Sequence, residues 1–472
     1  MPPVGAAPDD PILSEYHQTM REFLAVQARV MGAYLGGDIR TAVPMVEPGI
    51  GPGAGREDGE VLITGIGMVT PLGVGWQESW EGLCAGRSGV QAARRWDSAG
   101  IATRFAGEAP EHFEAVYKAR CRMPFPERYA RFTQFAMLSG VLAIEDAGLD
   151  HADLDRTRLG VAVGVGAGCF NYLLDVNERL RSQGNTLWPA LDHNYVIKHM
   201  TNAPAAQLSI WAGARGPSTS VSVACATGAQ TIATACEWIR TGKADIVLAG
   251  ACDSTVNPFV IHAYNQIHAL STRNDSPESA SRPFDRGRDG FVMAEGGAIL
   301  VLESPAHARR RGARSYARIV GHAETSEAYN VVTPRPLGEG MSQTMRLALR
   351  DARVDTDAVG YISAHGTSTR LNDTNETMAI KTVFGGHARD LTISAHKSML
   401  GHAIGASSAI QIGIVALSLH HGVITPTINY HEPDPDCDLD YAPNVARDHQ
   451  VNVAVANAFA FGGHNCSLVL VR

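Results

Sequence analysis

The sequence predicts an α/β protein that is built from two similar halves. Two apolar runs, residues 159–165 and 244–249, are continuous rather than alternating, which is typical of strands buried on both faces of a helix-covered sheet. Two further apolar strands, Gly296–Leu302 and His464–Leu470, nearly match each other, and each follows a glycine-rich turn. This repetition favours a duplicated α/β unit whose two copies are fused near residue 310.

The composition restricts the kind of protein and its ligands. The chain has 472 residues, of which 45% are hydrophobic, so it can bury a sizeable core. A net charge of -8 argues against nucleic acid as the main ligand. The sequence lacks a signal peptide pattern and any apolar run of about 18 residues. The eight cysteines are scattered without a CxxC pair, which is typical of reduced thiols. We therefore expect a cytoplasmic protein without a membrane span or a bound metal.

The first 59 residues differ from the rest of the chain. Hydrophobic side chains recur at roughly helical spacing from Ile12 to Leu35, which predicts an amphipathic helix within residues 1–36. Residues 37–59 are rich in Pro and Gly and predict a flexible linker. The helix is either a loosely held arm or a docking or dimerisation helix. We expect the remainder to divide into halves over residues 60–310 and 311–472.

Cys225 is the candidate nucleophile of the first half. Residues 218–224 alternate like a strand, and a helix of small residues begins at Cys225. The positive end of a helix dipole lowers the pKa of a cysteine and favours the thiolate, which is the form that attacks thioesters. The alternative interpretation is a small, buried core cysteine.

Two polar clusters follow short apolar strands in the second half, at the strand ends where α/β sheets collect catalytic groups. Their polar side chains are His365, Thr367, Thr369, Asp373 and Glu376 in the first cluster and Lys397 and His402 in the second. Two neutral imidazoles can donate N–H bonds to the enolate oxygen that forms when a malonyl thioester loses carbon dioxide. We expect Lys397 to pair with Glu376. Metal binding by His365, His402 and Asp373 is the competing interpretation, although these residues lack the local spacing of metal ligands.

The motifs taken together resemble one family. From residue 60 to residue 472 the chain resembles the β-ketoacyl-carrier-protein synthases, particularly the bacterial type II elongating enzymes and the polyketide ketosynthases. The resemblance rests on both histidine clusters and on five other segments: Ala224–Ala229, Ser271–Asp275, Arg282–Asp285, Arg288–Phe291 and the Phe461-Gly462-Gly463 turn.

The resemblance implies a fold, an assembly and residue roles. The fold would be a five-layered α-β-α-β-α thiolase fold, and the assembly a homodimer. Cys225 would take the acyl group, while His365 and His402 drive decarboxylation and condensation. The remaining implied roles are an oxyanion hole from the backbone N–H groups of Cys225 and Phe461, a gate at Phe461, phosphopantetheine contacts from Thr367 and Thr369, a supporting ion pair of Glu376 and Lys397, and a polar neighbour at Asp373.

The implied reaction is a decarboxylative Claisen condensation. An acyl group moves from an acyl carrier protein to Cys225, and a malonyl-type carrier then loses carbon dioxide and attacks it. The substrates arrive on 4′-phosphopantetheine, so no other cofactor is expected. A non-elongating acyltransferase, a chain-length partner subunit of a heterodimer and a thiolase are disfavoured, because Cys225, His365 and His402 are all present. The N-terminal segment favours polyketide assembly, with fatty acid synthesis and the identity of the extender left open.

Two further expectations concern specificity and docking. Ala167 and Tyr264 should line the acyl pocket. The fatty-acid enzymes of the family often carry a larger aliphatic residue where this chain has Ala167, so we expect room for long, branched or aryl chains. An acidic carrier protein would need a basic surface, for which an ordinary solvated face is the alternative. The candidate residues are Lys118, Arg120, Arg122, Arg128 and Arg131.

Overall fold

The structure is a computed structural model that describes residues 59–121, 129–149, 154–168, 170–183, 197 and 199–472. The expected N-terminal helix and all of the expected linker except residue 59 lie outside the described residues. Within the described ranges, no helix combines the length and the apolar character needed to cross a bilayer.

The secondary structure alternates between strands and helices, as the sequence predicts. The strands are β1 (Val61–Thr70), β2 (Gly73–Val74), β3 (Val90–Ala92), β4 (Phe105–Gly107), β5 (Leu159–Gly164), β6 (Ser218–Thr219), β7 (Ile246–Ser254), β8 (Glu295–Glu303), β9 (Ala317–Ser326), β10 (Tyr361–Ser363), β11 (Thr392–Ser394), β12 (Val423–Ile424), β13 (Arg447–Asp448), β14 (Val453–Ala460) and β15 (His464–Val471). The described helices are α1 (Trp76–Cys84), α2 (Phe113–Arg120), α3 (Arg131–Asp146), α4 (Phe170–Gln183), α5 (Ala203–Ala212), α6 (Thr227–Arg240), α7 (Pro258–Gln266), α8 (Pro305–Arg311), α9 (Glu339–Ala352), α10 (Arg370–Phe384), α11 (Lys397–Leu400) and α12 (Gly405–His421).

The sheet topology shows the duplication directly. The main strands lie in the order β11-β10-β14-β15-β9-β1-β8-β7-β5-β6. In each half the three strands furthest from the junction are parallel to one another and the other two are antiparallel. The two matching strands of the sequence, β8 and β15, occupy equivalent positions beside β1 and β9. The prediction of a repeated α/β unit is confirmed, and we propose that the halves meet near residue 310, at the end of α8.

Two buried helices lie between the two groups of strands. Helices α6 and α12 contact strands of both halves, and 15 of the 17 residues of α12 are buried, which explains why this helix is apolar on every side. Helix α3 packs on β1, β7 and β8, while α9 packs on β9, β14 and β15. These helices form separate outer cores. The result is the five-layered thiolase fold that the resemblance implies.

Candidate active site

Three of the five predicted catalytic side chains gather at one cavity of about 300 Å³, whereas Lys397 and Glu376 do not line it. Cys225 follows β6, His365 follows β10, and His402 follows β11. Because these three strands are parallel members of their own halves, each side chain stands beyond the carboxyl end of a strand. The walls of the cavity include all three side chains.

Cys225 lies on a tight turn before α6. The predicted strand over residues 218–224 is wrong in its length, since regular pairing ends at Thr219. Ala224 adopts a left-handed φ of 48°, a conformation that disfavours a non-glycine residue. The Thr227 hydroxyl stabilises the turn by donating to the Ala224 carbonyl over 2.7 Å and accepting the Val223 N–H over 2.9 Å.

The expectation of a resting thiolate at Cys225 is wrong. Burial raises the pKa of the thiol to about 12. The charge of Lys397 and the backbone N–H groups of Phe461 and Cys225 lower the pKa, but burial has the larger effect. The sulfur therefore carries its proton at rest, and a neighbouring base must accept that proton when the sulfur attacks.

His402 is placed to accept that proton. Its Nε2 atom lies 3.0 Å from Cys225 Sγ, and its Nδ1 atom lies 2.9 Å from the Ser407 hydroxyl. Ser407 also accepts the Ala403 N–H over 2.8 Å, which fixes the position of its oxygen. A hydroxyl can donate or accept, so the Ser407 contact supports either tautomer of His402.

His365 completes a group of three reactive side chains. One ligand atom each of Cys225, His365 and His402 lies within 4.8 Å of the others. Nδ1 of buried His365 has no hydrogen-bond partner among the residues that the structure describes. Burial, together with the charge of Lys397, lowers the pKa of both His365 and His402 well below the usual range. Both rings are therefore neutral near pH 7, as enolate stabilisation requires.

Lys397 and Glu376 do not form the expected direct ion pair, although the charge of each shifts the pKa of the other, and both residues hold the backbone of His365. Lys397 Nζ donates to the His365 carbonyl over 2.7 Å. Glu376 accepts the N–H groups of His365 and Gly366 over 2.8 and 2.9 Å. Burial lowers the pKa of Lys397 to about 8 and raises that of Glu376 to about 7. The two side chains thus fix one histidine from opposite sides of its peptide group.

Asp373 supports the next residues of this loop. Its carboxylate accepts the N–H groups of Thr367 and Phe284 over 3.1 and 2.9 Å, and Arg288 lies 3.6 Å away. The hydroxyls of Thr367 and Thr369 are 3.0 Å apart, and both residues line the cavity. Asp373 therefore holds backbone and lies outside the histidine–cysteine group, so the metal set that includes Asp373 is wrong.

Phe461 lies at a neighbouring apolar cluster that shares Phe291 and Ile404 with the cavity wall. Its ring lines the cavity and stacks on Tyr264 with 6.4 Å between ring centroids. Gly462 and Gly463, with φ values of 83° and 72°, allow the turn that brings the Phe461 N–H to the sulfur. Ala167 and Tyr264 belong to the apolar cluster behind Phe461 and not to the cavity wall. This arrangement is compatible with a gate at Phe461.

The basic candidates for carrier docking are spread over different environments. Lys118 is exposed, and Arg120 pairs with Glu145 at the surface. The expectation that Arg131 belongs to a docking surface is wrong. Its side chain is only 12% exposed and lies 2.6 Å from Glu295, so Arg131 forms an internal ion pair. Arg122 and Arg128 lie outside the described residues.

The sequence interpretation missed three residues of the site. Ser407 orients His402, Ser408 donates to the Cys225 carbonyl over 3.0 Å, and Asp253 accepts backbone N–H groups beside the cavity. Asp253 was detectable as an acidic residue at the end of a buried apolar strand. Ser407 and Ser408 stand in a run of small residues after His402, where nothing in the spacing distinguishes them.

Comparisons with known proteins show which family the chain resembles. The family model described as the N-terminal domain of β-ketoacyl synthase matches residues 58–308, and the corresponding C-terminal domain matches residues 316–431. The tetracenomycin polyketide synthase ketoacyl synthase alpha subunit of Streptomyces glaucescens is 40% identical over 87% of this chain and 97% of its own length. The 3-oxoacyl-[acyl-carrier-protein] synthase 2 of Synechocystis is 38% identical over 89% of this chain and 99% of its own length.

Solved structures give the same result. A type II polyketide ketosynthase, solved with its acyl-carrier protein and bound to the hexaketide, is 34% identical with a TM-score of 0.79, over 87% of this chain and 98% of that one. A β-ketoacyl synthase from Burkholderia phymatum is 35% identical with a TM-score of 0.79, over 88% of this chain and 99% of that one. The shared fold, the two matching family domains and these full-length similarities show that the chain belongs to the β-ketoacyl synthase family.

Proposed function

We propose that this chain catalyses the decarboxylative condensation of an acyl group on Cys225 with a malonyl-type carrier-protein thioester, in polyketide chain elongation. The observation that carries the proposal is the group of a thiol and two neutral imidazoles around one cavity, with 3.0 Å between Cys225 Sγ and His402 Nε2. The thiol supplies a covalent acceptor, and the imidazoles supply donors for an enolate.

In the first half-reaction, Cys225 takes the acyl group from its carrier. The sulfur attacks the thioester carbonyl while its proton passes to His402 Nε2, and the oxyanion accepts the N–H groups of Cys225 and Phe461. The tetrahedral intermediate collapses and expels the pantetheine thiolate, which takes the proton from His402. The products are an acyl-Cys225 thioester and a free carrier thiol.

In the second half-reaction, the malonyl-type thioester loses carbon dioxide. The electron pair of the broken carbon–carbon bond forms an enolate, whose oxygen accepts N–H bonds from His365 and His402. The enolate carbon attacks the acyl-Cys225 carbonyl, and the carbon–sulfur bond breaks to release the Cys225 thiolate, which takes a proton from solvent and restores the resting thiol. The cavity holds both partners in register and so removes the entropic cost of their encounter.

The proposal includes the carrier, the assembly and the location of the enzyme. Thr367 and Thr369 would contact the phosphopantetheine arm, and the chemistry needs no other cofactor. Exposed apolar side chains, among them Ile210 at 74% exposure, favour a homodimer. The seven cysteines among the described residues are all free thiols, which supports a cytoplasmic location. Similarity to polyketide ketosynthases at 39–40% identity supports the polyketide assignment, and the 3-oxoacyl-[acyl-carrier-protein] synthase 2 relatives follow at 38%.

The carrier must approach the mouth of the cavity. Three apolar residues at this mouth, Ile267, Val332 and Leu371, are 48%, 46% and 58% exposed, and Arg370 beside them is exposed as well. We propose that an acidic carrier protein contacts this rim, through its apolar groups and Arg370. Lys118 remains a second candidate contact.

Intact-mass analysis with a panel of acyl carriers tests the proposal. The parent protein should gain the mass of one acyl group and release carbon dioxide when malonyl carrier is added. Cys225→Ala should gain none, whereas Cys84→Ala, which removes a thiol away from the cavity, should load normally. Loading that persists in Cys225→Ala would refute the assigned nucleophile. Activity that is lost with a chelator and restored by zinc would instead favour a metal held by Cys225, His365 and His402.

A further inference from the structure

We propose that Asp253 is a positioning residue that joins the acyl-pocket loop at residues 166–168 to the start of α12, and thereby sets the distance between His402 and Cys225. The inference rests on the proposed function, because it concerns the same reaction. Asp253 does not line the cavity, so it acts through the backbone that it holds.

The contacts of Asp253 converge from two segments. It is the next-to-last residue of β7, and its side chain is fully buried. One oxygen, Oδ1, accepts the N–H of Ala167 over 3.0 Å. The other, Oδ2, accepts the N–H of Gly166 over 3.0 Å and that of Gly405 over 2.7 Å. A single carboxylate therefore binds the loop after β5 and the first turn of α12 together.

This carboxylate has no cationic partner within 4.0 Å among the residues that the structure describes. A buried charge without a counter-ion is costly unless hydrogen bonds satisfy it. The compensation here is backbone N–H groups and the positive end of the 17-residue helix α12. Ile404, which precedes this helix, provides no side-chain cap, so Asp253 supplies the cap from another strand. An arrangement this specific points to a positional requirement at the active site.

Two glycines show how closely these segments approach one another. A Cβ atom on Gly166 would lie 2.8 Å from Asp253 Oδ2, and a Cβ atom on Gly405 would lie 2.7 Å from the same oxygen. Both distances are too short for real carbon atoms, so the carboxylate contacts require glycine at both positions. We call this contact of the Asp253 carboxylate with Gly166 and Gly405 the clamp. It depends on three residues that are far apart in the sequence.

The clamp leads directly to the reacting atoms. Gly405 is two residues before Ser407, whose hydroxyl holds His402 Nδ1 over 2.9 Å, and Ser408 donates to the Cys225 carbonyl over 3.0 Å. If the start of α12 moves, the His402 Nε2 to Cys225 Sγ distance of 3.0 Å changes with it. Displacements of about 1 Å at such contacts can cost about 100-fold in rate.

The first test compares Asp253→Asn with the parent enzyme. The amide keeps the shape of the carboxylate, but its NH₂ group faces backbone N–H donors and cannot accept from them. We expect kcat for condensation to fall about 10- to 100-fold while KM for the carrier substrates stays within about twofold. Glu295→Gln is the matched control, because Glu295 is an equally buried carboxylate outside the site, and it should keep the parental kcat.

A second variant keeps Asp253 itself. Gly405→Ala adds a methyl group that displaces the carboxylate from α12, so it should show the same loss of kcat at unchanged KM. If Asp253→Asn does not fold, as judged by circular dichroism, the kcat and KM of Gly405→Ala become the test of the inference. Folded variants with the parental kcat would overturn the inference.

The pH profile distinguishes positioning from a merely structural role. Burial raises the pKa of Asp253 to about 6, and the titratable groups whose charge interacts with it are Cys225, Tyr264 and Cys252. Protonation of Asp253 would weaken the clamp, so the loading rate of the parent should fall as the pH drops through about 6. We expect this fall to be absent in Asp253→Asn and present in Glu295→Gln. An unchanged profile in Asp253→Asn contradicts the inference, whereas failure of the parent to load Cys225 contradicts the proposed function itself.

Discussion

In the N-terminal half, the loop after β5 carries Gly166, Ala167 and Gly168, whereas the equivalent loop after β10 in the C-terminal half carries His365, Gly366 and Thr367. Each loop is held by a buried carboxylate that accepts two of its N–H groups, from Asp253 in one half and Glu376 in the other. The supports are alike, but the side chains on the loops are not.

The residues that follow β6 and β11 show the same divergence. Cys225 comes after β6 and His402 after β11, so one half presents a nucleophile and the other a base. Duplication therefore supplied two equivalent strand-end sites. Under the proposed function, the N-terminal half carries the acyl group, while the C-terminal half carries the proton transfers and contacts the carrier arm.

Replacing the two histidines should give the largest effect and separate the two half-reactions. His402→Ala should slow both acyl loading and decarboxylation, since His402 takes the thiol proton. His365→Ala should leave loading within about threefold while decarboxylation falls about 10²- to 10³-fold, as for loss of one oxyanion donor. Mass spectrometry measures loading, and carbon dioxide release measures decarboxylation. Equal loss of loading in both variants would break the assignment of distinct roles.

Glu376→Gln should reduce condensation about 10- to 100-fold, because the His365 loop loses its carboxylate acceptor. The variant should also change the pH dependence of stability. Since burial raises the pKa of Glu376 to about 7, the folded protein binds a proton between about pH 4.5 and 7 that the unfolded chain does not. This contribution to the free energy of unfolding is present at low pH and is lost as the pH rises through 7.

Urea denaturation at several pH values measures that contribution. The parent should lose up to about 1.4 kcal/mol per pH unit from this group as the pH rises, and Glu376→Gln should show a smaller slope. Glu295→Gln should retain the contribution of Glu376 but lose a similar one of its own, because burial also raises the pKa of Glu295 to about 7. A parental slope in Glu376→Gln would show that the carboxyl group is ionised in the folded protein throughout this range.

Ala167→Ile tests the N-terminal loop. The larger side chain should crowd the cluster that contains Phe170 and Tyr264, so loading of branched or aryl chains should fall about tenfold while short acyl groups load as before. Decarboxylation of malonyl carrier should not change, since that step belongs to the other half. Competition between short and bulky acyl carriers, read by intact mass, gives the ratio. Equal rates for parent and variant would remove the support for a pocket widened by alanine.

Charge reversal at the rim should have the smallest effect. Arg370→Glu should lower kcat/KM for carrier-bound substrates about fivefold and lessen its salt dependence, while small pantetheine thioesters react as before. Lys118→Glu is the matched comparison on α2. If only Lys118→Glu slows the carrier reaction, the docking face lies on α2 and not at the rim of the cavity.

The sequence predicted those parts of the molecule that local patterns determine. Continuous apolar runs revealed β5 and β7, the repeated strands revealed the duplication, and the motifs around Cys225, His365 and His402 pointed to three side chains that the structure brings to one cavity. The pKa of Cys225 was misjudged, because a helix dipole can be read from a strand-to-helix turn whereas burial depends on distant packing. The partners of Lys397 were also misjudged, since a carbonyl that accepts its ammonium group carries no sequence signal. Arg131 looked like a surface cation because its partner, Glu295, is far away in the sequence.

The cavity reaches one of the seven described thiols and leaves Cys236, Cys252 and Cys466 sealed in the interior. An electrophile mounted on a pantetheine arm would therefore meet Cys225 first, in the cavity that the proposed thioester substrate would enter. A carrier protein that bears such an electrophile would become covalently attached to the enzyme, and the crosslinked pair would report which carriers the enzyme accepts.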